Sequence, residues 1–265
     1  MTFTAFRKTI WTYYKANKRD FPWRETKDPY KILVSEIMLQ QTQAPRVVPK
    51  YNSFLEKFPT VQALAKAKLS DVLAEWQGLG YNRRGMYLKQ CAEKVVTDYG
   101  GEFPKDFDQL VSLPGIGPAT AGDVLVFTWN IPMVVIETNI RSVFIHFFFK
   151  DKEKITDKEI LPLIEKTLDK GNPREWYWAL FDYGTFLKKT ANPSRRSAHH
   201  VKQTKFVGSL RQKRAVILRE IIKKPQNQKQ IVKNLGYETE IVSKILLDLE
   251  KEGFTKKTKT GYMIV

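Results

Sequence analysis

The residues from Leu113 to Gly122, which read LPGIGPATAG, combine two closely spaced glycines with the start of an apolar helix. The glycines allow a tight turn and a close approach by another backbone. The amide N–H groups of such a turn, together with the N-terminus of the next helix, hold a phosphate without reading base sequence. Taken alone, the pattern also fits a plain turn between helices. The predicted phosphate contacts are Pro114, Gly115, Ile116, Gly117, Ala119 and Thr120.

The positive charge of the chain is concentrated towards its end. The 265 residues carry a formal net charge of +17, and residues 188–265 hold 19 of the 45 Lys and Arg against 6 of the 28 Asp and Glu. Such a block is either a solvated tail or a stripe that neutralises phosphates. The predicted phosphate contacts in this part are Lys188, Lys189, Arg195, Arg196, Lys256 and Lys257.

Two further segments accompany the glycine turn in a fixed order. Residues 35–43 read SEIMLQQTQ and residues 76–81 read WQGLGY. Together with LPGIGPATAG, they resemble the signatures of adenine DNA glycosylases of the MutY type, in the endonuclease III-like helix-hairpin-helix superfamily. The resemblance runs from about residue 5 to residue 187. It implies hydrolysis of the N-glycosidic bond of a mispaired adenine, opposite 8-oxoguanine or guanine, in base excision repair.

The resemblance places a catalytic acid at Glu36, where the family keeps the carboxyl group that protonates the purine. Burial beside Met38 and Leu39 is expected to raise the pKa of Glu36, as that role requires. An enzyme of this class extrudes the target nucleotide and holds the duplex open. The residues that correspond to the ones filling the vacated space in the family are Gln40, Gln41, Thr42, Gln43, Gly80 and Tyr81.

A second carboxylate departs from the family pattern. Glu137 stands at the position of an aspartate, two residues before Asn139, which is expected to position the sugar or the water. Glu137 retains the charge that stabilises a cationic sugar, although its extra methylene group moves that charge by roughly 1 Å. Ala119 stands where bifunctional relatives carry a nucleophilic lysine. We therefore expect base release without a lysine-dependent lyase step.

The cofactor of the family is expected to be missing. Its members usually bind a [4Fe–4S] cluster through four cysteines that follow a segment like Ala179–Gly184, whereas the sequence here has a single cysteine, Cys91. A clusterless member is therefore predicted, in which the basic residues after Leu187 take over phosphate binding. The carbonyl groups of Val111, Leu113 and Ile116 are candidates for holding a Na⁺ or K⁺ ion in the hairpin.

The elements that position these residues are predicted to be mainly helical. The fold class is all-α, a two-lobed helix-hairpin-helix glycosylase fold with a C-terminal winged helix-turn-helix module. One lobe is expected at 21–129, a second at 1–20 plus 130–210, and the winged-helix module at 211–265, with 239–252 as its recognition helix and 254–265 as its wing. Residues 133–149 are predicted to form a buried helix, although their β-branched content also suits a strand.

The expected partner is double-stranded DNA with a mispaired or damaged base. No apolar run is long enough to cross a membrane, and the first fifteen residues lack the pattern of a signal peptide. A monomer in the cytoplasm, associated with the nucleoid, is therefore expected. Two alternatives remain open: a glycosylase for T or U mispaired with G or for a damaged purine, and a non-catalytic DNA-binding protein on the same scaffold.

Overall fold

A computed structural model describes residues 1–202 and 205–265. Most of these residues are helical. The helices are α1 (Phe3–Asn17), α2 (Pro29–Leu39), α3 (Ala44–Lys57), α4 (Val61–Lys66), α5 (Leu69–Glu75), α6 (Arg83–Tyr99), α7 (Phe107–Val111), α8 (Pro118–Trp129), α9 (Thr138–Phe148), α10 (Asp157–Thr167), α11 (Pro173–Thr190), α12 (Leu210–Lys223), α13 (Gln228–Leu235) and α14 (Thr239–Lys251). Two strands follow, β1 (Thr255–Thr258) and β2 (Gly261–Ile264).

The chain forms two compact units. The first contains residues 1–36, 104–112 and 116–202, and the second contains residues 37–103, 113–115 and 205–265. The lobe boundaries predicted from the sequence stay a prediction. The basic stretch 188–210 includes Gln203 and Thr204, which lie outside the described residues.

The first unit is built on an aromatic core. Phe6 of α1 packs against Phe144 of α9 and Trp176 of α11, with ring centroids 5.2 Å and 6.0 Å away. The buried hydroxyl of Tyr177 accepts a hydrogen bond from the amide of Val135 (2.9 Å) and donates one to the carbonyl of Met133 (2.7 Å). These bonds fix the segment that leads into α9.

The predicted helix over 133–149 is wrong in its first part. Residues 133–137 belong to no helix or strand, and α9 begins at Thr138 with Glu137, whose backbone is extended, as its N-cap. Pro132 and the β-branched Val134, Val135 and Ile136 disfavour a helix here, and a side-chain carboxylate satisfies the first free amides of α9. The cap therefore determines where the segment before α9 turns into helix.

In the second unit, α12, α13 and α14 are followed by an antiparallel hairpin in which Thr255 pairs with Ile264 and Thr258 with Gly261. This is the predicted element order of a winged helix-turn-helix. Its apolar core is continuous with three residues of α5 and α6, namely Leu69, Leu73 and Met86. The C-terminal helices thus share one core with the part of the chain that carries the WQGLGY segment.

None of the helices in the described part of the chain has the length and apolar character needed to cross a membrane.

Candidate active site

Glu36 lies in the last turns of α2. The Asp28 carboxylate accepts a hydrogen bond from the amide of Tyr30 (2.9 Å), and Pro29 occupies the first helical position, so the start of α2 is fixed by a side-chain cap and a restricted φ angle. Ile32, Leu33 and Val34 are buried, while Glu36 itself is partly buried. The apolar side of α2 therefore anchors the helix and leaves the carboxyl group of Glu36 in a poorly hydrated place.

Glu137 is held by the backbone of the helix it caps. Its Oε1 accepts hydrogen bonds from the amides of Asn139 (2.6 Å) and Ile140 (2.9 Å), and its Oε2 accepts one from Nδ2 of Asn139 (3.1 Å). Donors at a helix N-terminus favour an ionised carboxylate. Asn139 thus orients Glu137 through both its backbone and its side chain.

Helix α11 packs unusually close to this cap. A Cβ atom on Gly184 would lie 2.5 Å from the carbonyl oxygen and 2.7 Å from the Cβ of Asn139, so glycine is the residue that permits the contact. Lys188 lies one turn further along the same face of α11. Burial lowers the pKa of Lys188, and the charge of Glu137 opposes that decrease. Burial raises the pKa of Glu137, and the ammonium group of Lys188 opposes that increase. Lys188, predicted to contact phosphate, is therefore also the charge partner of Glu137.

A third carboxyl group, Asp123 of α8, was not predicted from the sequence. Its side chain is almost fully buried, and within the described residues its Oδ1 has no hydrogen-bond partner. Burial, Glu36 and Glu137, in that order, raise its pKa well above the usual value. Asp123 therefore keeps its proton to a higher pH than an ordinary aspartate does. The signal for it in the sequence was a single charged residue within the apolar run AGDVLVF.

The three carboxyl groups differ in how readily they ionise. Burial, together with the charge of Glu137, raises the pKa of Glu36 to about 8, and Arg24 opposes this increase. Burial also raises the pKa of Glu137, but Lys188 and the amides of Ile140 and Asn139 counteract it. Since neighbouring carboxyl groups do not all ionise together, Glu137 loses its proton first and Glu36 keeps its proton at neutral pH. The arrangement provides one proton donor beside one carboxylate.

Arg24 is itself fixed by a buried ion pair. Asp182 of α11 accepts hydrogen bonds from Nη1 (2.9 Å) and Nη2 (2.8 Å) of Arg24 and from Nε of Arg19 (2.6 Å). Bidentate pairing of this kind holds a guanidinium group in one orientation. This cluster was not predicted from the sequence, although Asp182 falls within the family-like segment 179–184.

The hairpin residues have the backbone geometry expected of a tight turn. Gly115 has a φ angle of +76°, and a Cβ atom there would lie 2.5 Å from the Cβ of Tyr87, so only glycine fits. Gly117 is the N-cap of α8, and Pro118 is its first residue. Ala119 is exposed and Thr120 is buried. Val111 ends α7, and the cation site predicted at the carbonyls of Val111, Leu113 and Ile116 stays a prediction.

A second cluster joins the predicted glutamine segment to Tyr81. Its centre is Arg84, which donates hydrogen bonds to the carbonyls of Ile37 (2.8 Å), Gln40 and Leu79 (3.1 Å) and to Oγ1 of Thr42 (3.2 Å). Its guanidinium carbon also lies 5.5 Å from the ring centroid of Tyr81. Arg84 therefore joins the end of α2 to the Gly78–Tyr81 loop, a role that its sequence position did not reveal.

The same cluster encloses a cavity of about 320 Å³. Its lining residues are Ile37, Gln40, Gln41, Tyr81, Arg83, Arg84, Tyr87 and Gly115. Tyr81 adopts a positive φ angle of 48°, and its side chain is 42% exposed. Thr42 and Gly80 belong to the same cluster through their bonds to Arg84, and Gln43 is the N-cap of α3. Of the predicted opposite-strand residues, Gln40, Gln41 and Tyr81 thus line one cavity, and Thr42 and Gly80 adjoin it through Arg84.

The predicted basic contacts fall into two groups. Lys189, Arg195, Lys256 and Lys257 are exposed. Arg196 instead donates hydrogen bonds to the carbonyls of Ile145 (3.1 Å), Lys150 and Lys152 (3.2 Å). Its guanidinium group is therefore engaged in holding the end of α9.

Comparisons with known proteins agree with this geometry. A family model described as HhH-GPD superfamily base excision DNA repair protein matches residues 34–170. The adenine DNA glycosylase of Buchnera aphidicola subsp. Baizongia pistaciae is 34% identical over 198 residues, which cover 73% of this chain and 56% of that protein. The human adenine DNA glycosylase is 33% identical over 202 residues, which cover 72% of this chain and 37% of that protein.

Solved structures show the same fold. A thermostable thymine-DNA glycosylase has a TM-score of 0.62 and 29% identity, covering 69% of this chain and 85% of that one. Endonuclease III in a non-covalent complex with DNA has a TM-score of 0.55 and 21% identity, covering 72% of this chain and 87% of that one. The chain spans little more than half of the Baizongia relative. With the family model covering more than half of its residues, the chain belongs to the HhH-GPD superfamily of base excision DNA repair proteins.

Proposed function

We propose that this protein is a monofunctional DNA glycosylase that hydrolyses the N-glycosidic bond of adenine mispaired with 8-oxoguanine or guanine. The observation that carries the proposal is the pairing of a protonated Glu36 with a backbone-held Glu137 in one unit. The names of the curated relatives, all adenine DNA glycosylases, support adenine as the base.

The two glutamates have complementary roles in the proposed reaction. Glu36 gives its proton to a ring nitrogen of the extruded adenine, so that the base leaves with the electron pair of the broken C1′–N9 bond. Glu137, as a carboxylate, stabilises the positive charge on the sugar. A water molecule then adds its oxygen to C1′ and releases a proton to a nearby carboxylate. Asn139 keeps Glu137 in position for both steps.

Double-stranded DNA is the proposed partner. Residues in and beside the cavity that Tyr81 lines, namely Gln40, Gln41, Thr42 and Tyr81, are proposed to fill the vacated space and touch the opposite strand. The turn from Pro114 to Thr120 and the exposed Lys189, Arg195, Lys256 and Lys257 are proposed to hold phosphates, which Arg and Lys do without regard to sequence. Acting on chromosomal DNA, the protein would work as a monomer at the nucleoid in the cytoplasm.

The proposed reaction ends at an abasic site. Ala119 is exposed in the first turn of α8 and has no amine for a Schiff base. Borohydride treatment during turnover is therefore expected to trap no protein–DNA adduct. An adduct with the wild-type protein would contradict this expectation, and its persistence in the Lys188→Ala variant would show that an amine other than Lys188 forms it.

The [4Fe–4S] cluster that the resemblance implies does not fit these residues. Such a cluster needs four thiolates, and the sequence has only Cys91, which is buried within α6. No step of the proposed reaction uses a metal. A monovalent ion at the carbonyls of Val111, Leu113 and Ile116 would act on the hairpin alone.

A second candidate function is release of thymine mispaired with guanine. It is favoured by the structural similarity to the thermostable thymine-DNA glycosylase. One experiment separates the candidates: labelled duplexes that contain A:8-oxoG, A:G, T:G, U:G or hypoxanthine are incubated with the protein and then treated with alkali. Cleavage at A:8-oxoG and A:G supports the first proposal, cleavage only at T:G supports the second, and binding without cleavage at any of them refutes both.

A further inference from the structure

The C-terminal helices are fixed to the Tyr81 loop at several points. Glu252, at the end of α14, forms an ion pair with Arg83 of α6 (2.8 Å) and another with Arg214 of α12. Nη1 of Arg211, in the first turn of α12, donates a hydrogen bond to the hydroxyl of Tyr81 (3.3 Å). With the apolar core shared by α5, α6 and α12, these contacts place the start of α12 directly beside the cavity that Tyr81 lines.

The positive charge of the module lies on α12 and not on the predicted recognition helix. Helix α12 carries five Lys and Arg and one Glu, whereas α14 carries two Lys against three acidic residues. The groove along α14 is lined by both signs of charge, with Glu240 and Asp248 beside Lys244 and Lys251. A duplex carries one negative charge per about 1.7 Å of its axis, so a surface of mixed charge is a poor match for it.

The segment that leads into α12 exposes apolar side chains next to a cation. Phe206, Val207 and Leu210 are 53%, 83% and 56% exposed, and Lys205 is exposed beside them. Apolar side chains combined with cations recur where proteins press against or between unstacked bases. The apolar side chains and Arg211 lie at the same end of α12.

We propose that the C-terminal module binds DNA through residues 205–211, at the N-terminal end of α12, as an extension of the opposite-strand site around Tyr81. In this arrangement Lys205 and Arg211 neutralise phosphates of the strand opposite the excised base, and Phe206, Val207 and Leu210 pack against its sugars and bases. Helix α14, with two Lys against three acidic residues, takes no part in this contact. The inference rests on the proposed function, since it extends a site that binds DNA.

The test compares two double variants of the full-length protein that remove the same amount of charge. Lys205→Ala with Arg211→Ala removes two cations from the start of α12, and Lys244→Ala with Lys251→Ala removes two from α14. Fluorescence anisotropy measures the Kd for an A:8-oxoG duplex from 50 to 300 mM salt. Each lost phosphate contact lowers the slope of log Kd against log salt by about 0.9, so the α12 variant is expected to lose about 1 to 2 in slope and about tenfold or more in affinity.

The control variant on α14 is expected to keep the wild-type slope and affinity. A slope that falls only in the α14 variant would assign the contact to the recognition helix, and unchanged slopes in both would show that neither helix end holds phosphates. Either result overturns the inference. Adenine release by the wild-type protein on the same duplex is measured in parallel. Its absence would refute the proposed function, whereas the slopes report binding whether or not the base is released.

Discussion

The elevated pKa of Glu36 makes the rate of base release a direct measure of its protonation. With a pKa of about 8, Glu36 is about 90% protonated at pH 7, whereas a glutamate of ordinary pKa would be about 0.2% protonated there. Burial beside Glu137 therefore supplies roughly 400 times more of the active acid. If Glu36 delivers the proton, the rate is expected to stay level near pH 7 and to fall about tenfold per pH unit well above pH 8.

The assay is single-turnover release of adenine from an A:8-oxoG duplex between pH 6 and 10. Glu36→Gln removes the acid, and we expect a loss of about 100-fold to 10,000-fold in rate, together with loss of the alkaline decline. Glu25→Gln is the matched control, because Glu25 is an exposed glutamate of the same unit. A wild-type rate that falls already above pH 5, or an alkaline decline that survives in Glu36→Gln, would refute the reasoning.

Three further predictions concern the residues that hold the two clusters. Gly184→Ala is expected to destabilise the protein by about 1–3 kcal/mol in urea unfolding, because the new Cβ would collide with Asn139. Gly171→Ala is the control, since its Cβ would meet nothing closer than 3.5 Å. Equal losses of stability in the two variants would contradict this explanation. Asp123→Asn is expected to increase the free energy of unfolding at pH 8 and to leave it nearly unchanged at pH 4. The raised pKa of Asp123 makes the folded protein retain a proton that the unfolded chain releases, so stability present at low pH is lost as pH rises; an equal change at both pH values would argue against a neutral acid. Arg84→Lys is expected to lower the free energy of unfolding by about 1–3 kcal/mol, because one ammonium group cannot donate to all the carbonyl groups that the guanidinium group of Arg84 contacts. An unchanged melting temperature would contradict this stabilising role of Arg84.

The family-like motifs predicted the helical fold and the two glutamates because these features depend on residues that are close together in the sequence. Glu36 lies in a helix whose apolar spacing is visible in the sequence, and Glu137 precedes an apolar helix that it caps. Residues 133–137 were misjudged because the local signals against a helix, Pro132 and the β-branched residues, were given too little weight, and because the contact with Tyr177 that supports them comes from more than 40 residues away. Local propensity does not contain such a contact.

Asp123 and Arg84 were not predicted for the same reason. In the sequence, Asp123 is an acid within an apolar run and Arg84 is one of two adjacent arginines. Their roles depend on which charges and carbonyls meet them after folding. The assignment of Arg196 to phosphate binding has the same weakness, since its guanidinium group bonds three backbone carbonyls of its own unit.

The apolar core that α12 shares with Leu69, Leu73 and Met86 makes the C-terminal module difficult to exchange for another domain. A domain joined by a flexible linker can be exchanged without disturbing its neighbour, but cutting this module away would expose the apolar residues of α5 and α6 to water. Truncated chains are therefore expected to aggregate rather than report on DNA binding. A substitution in the core residues of α5 or α6 would also require a compensating substitution in the C-terminal helices. The module and the helices that flank the Tyr81 loop are therefore expected to evolve together.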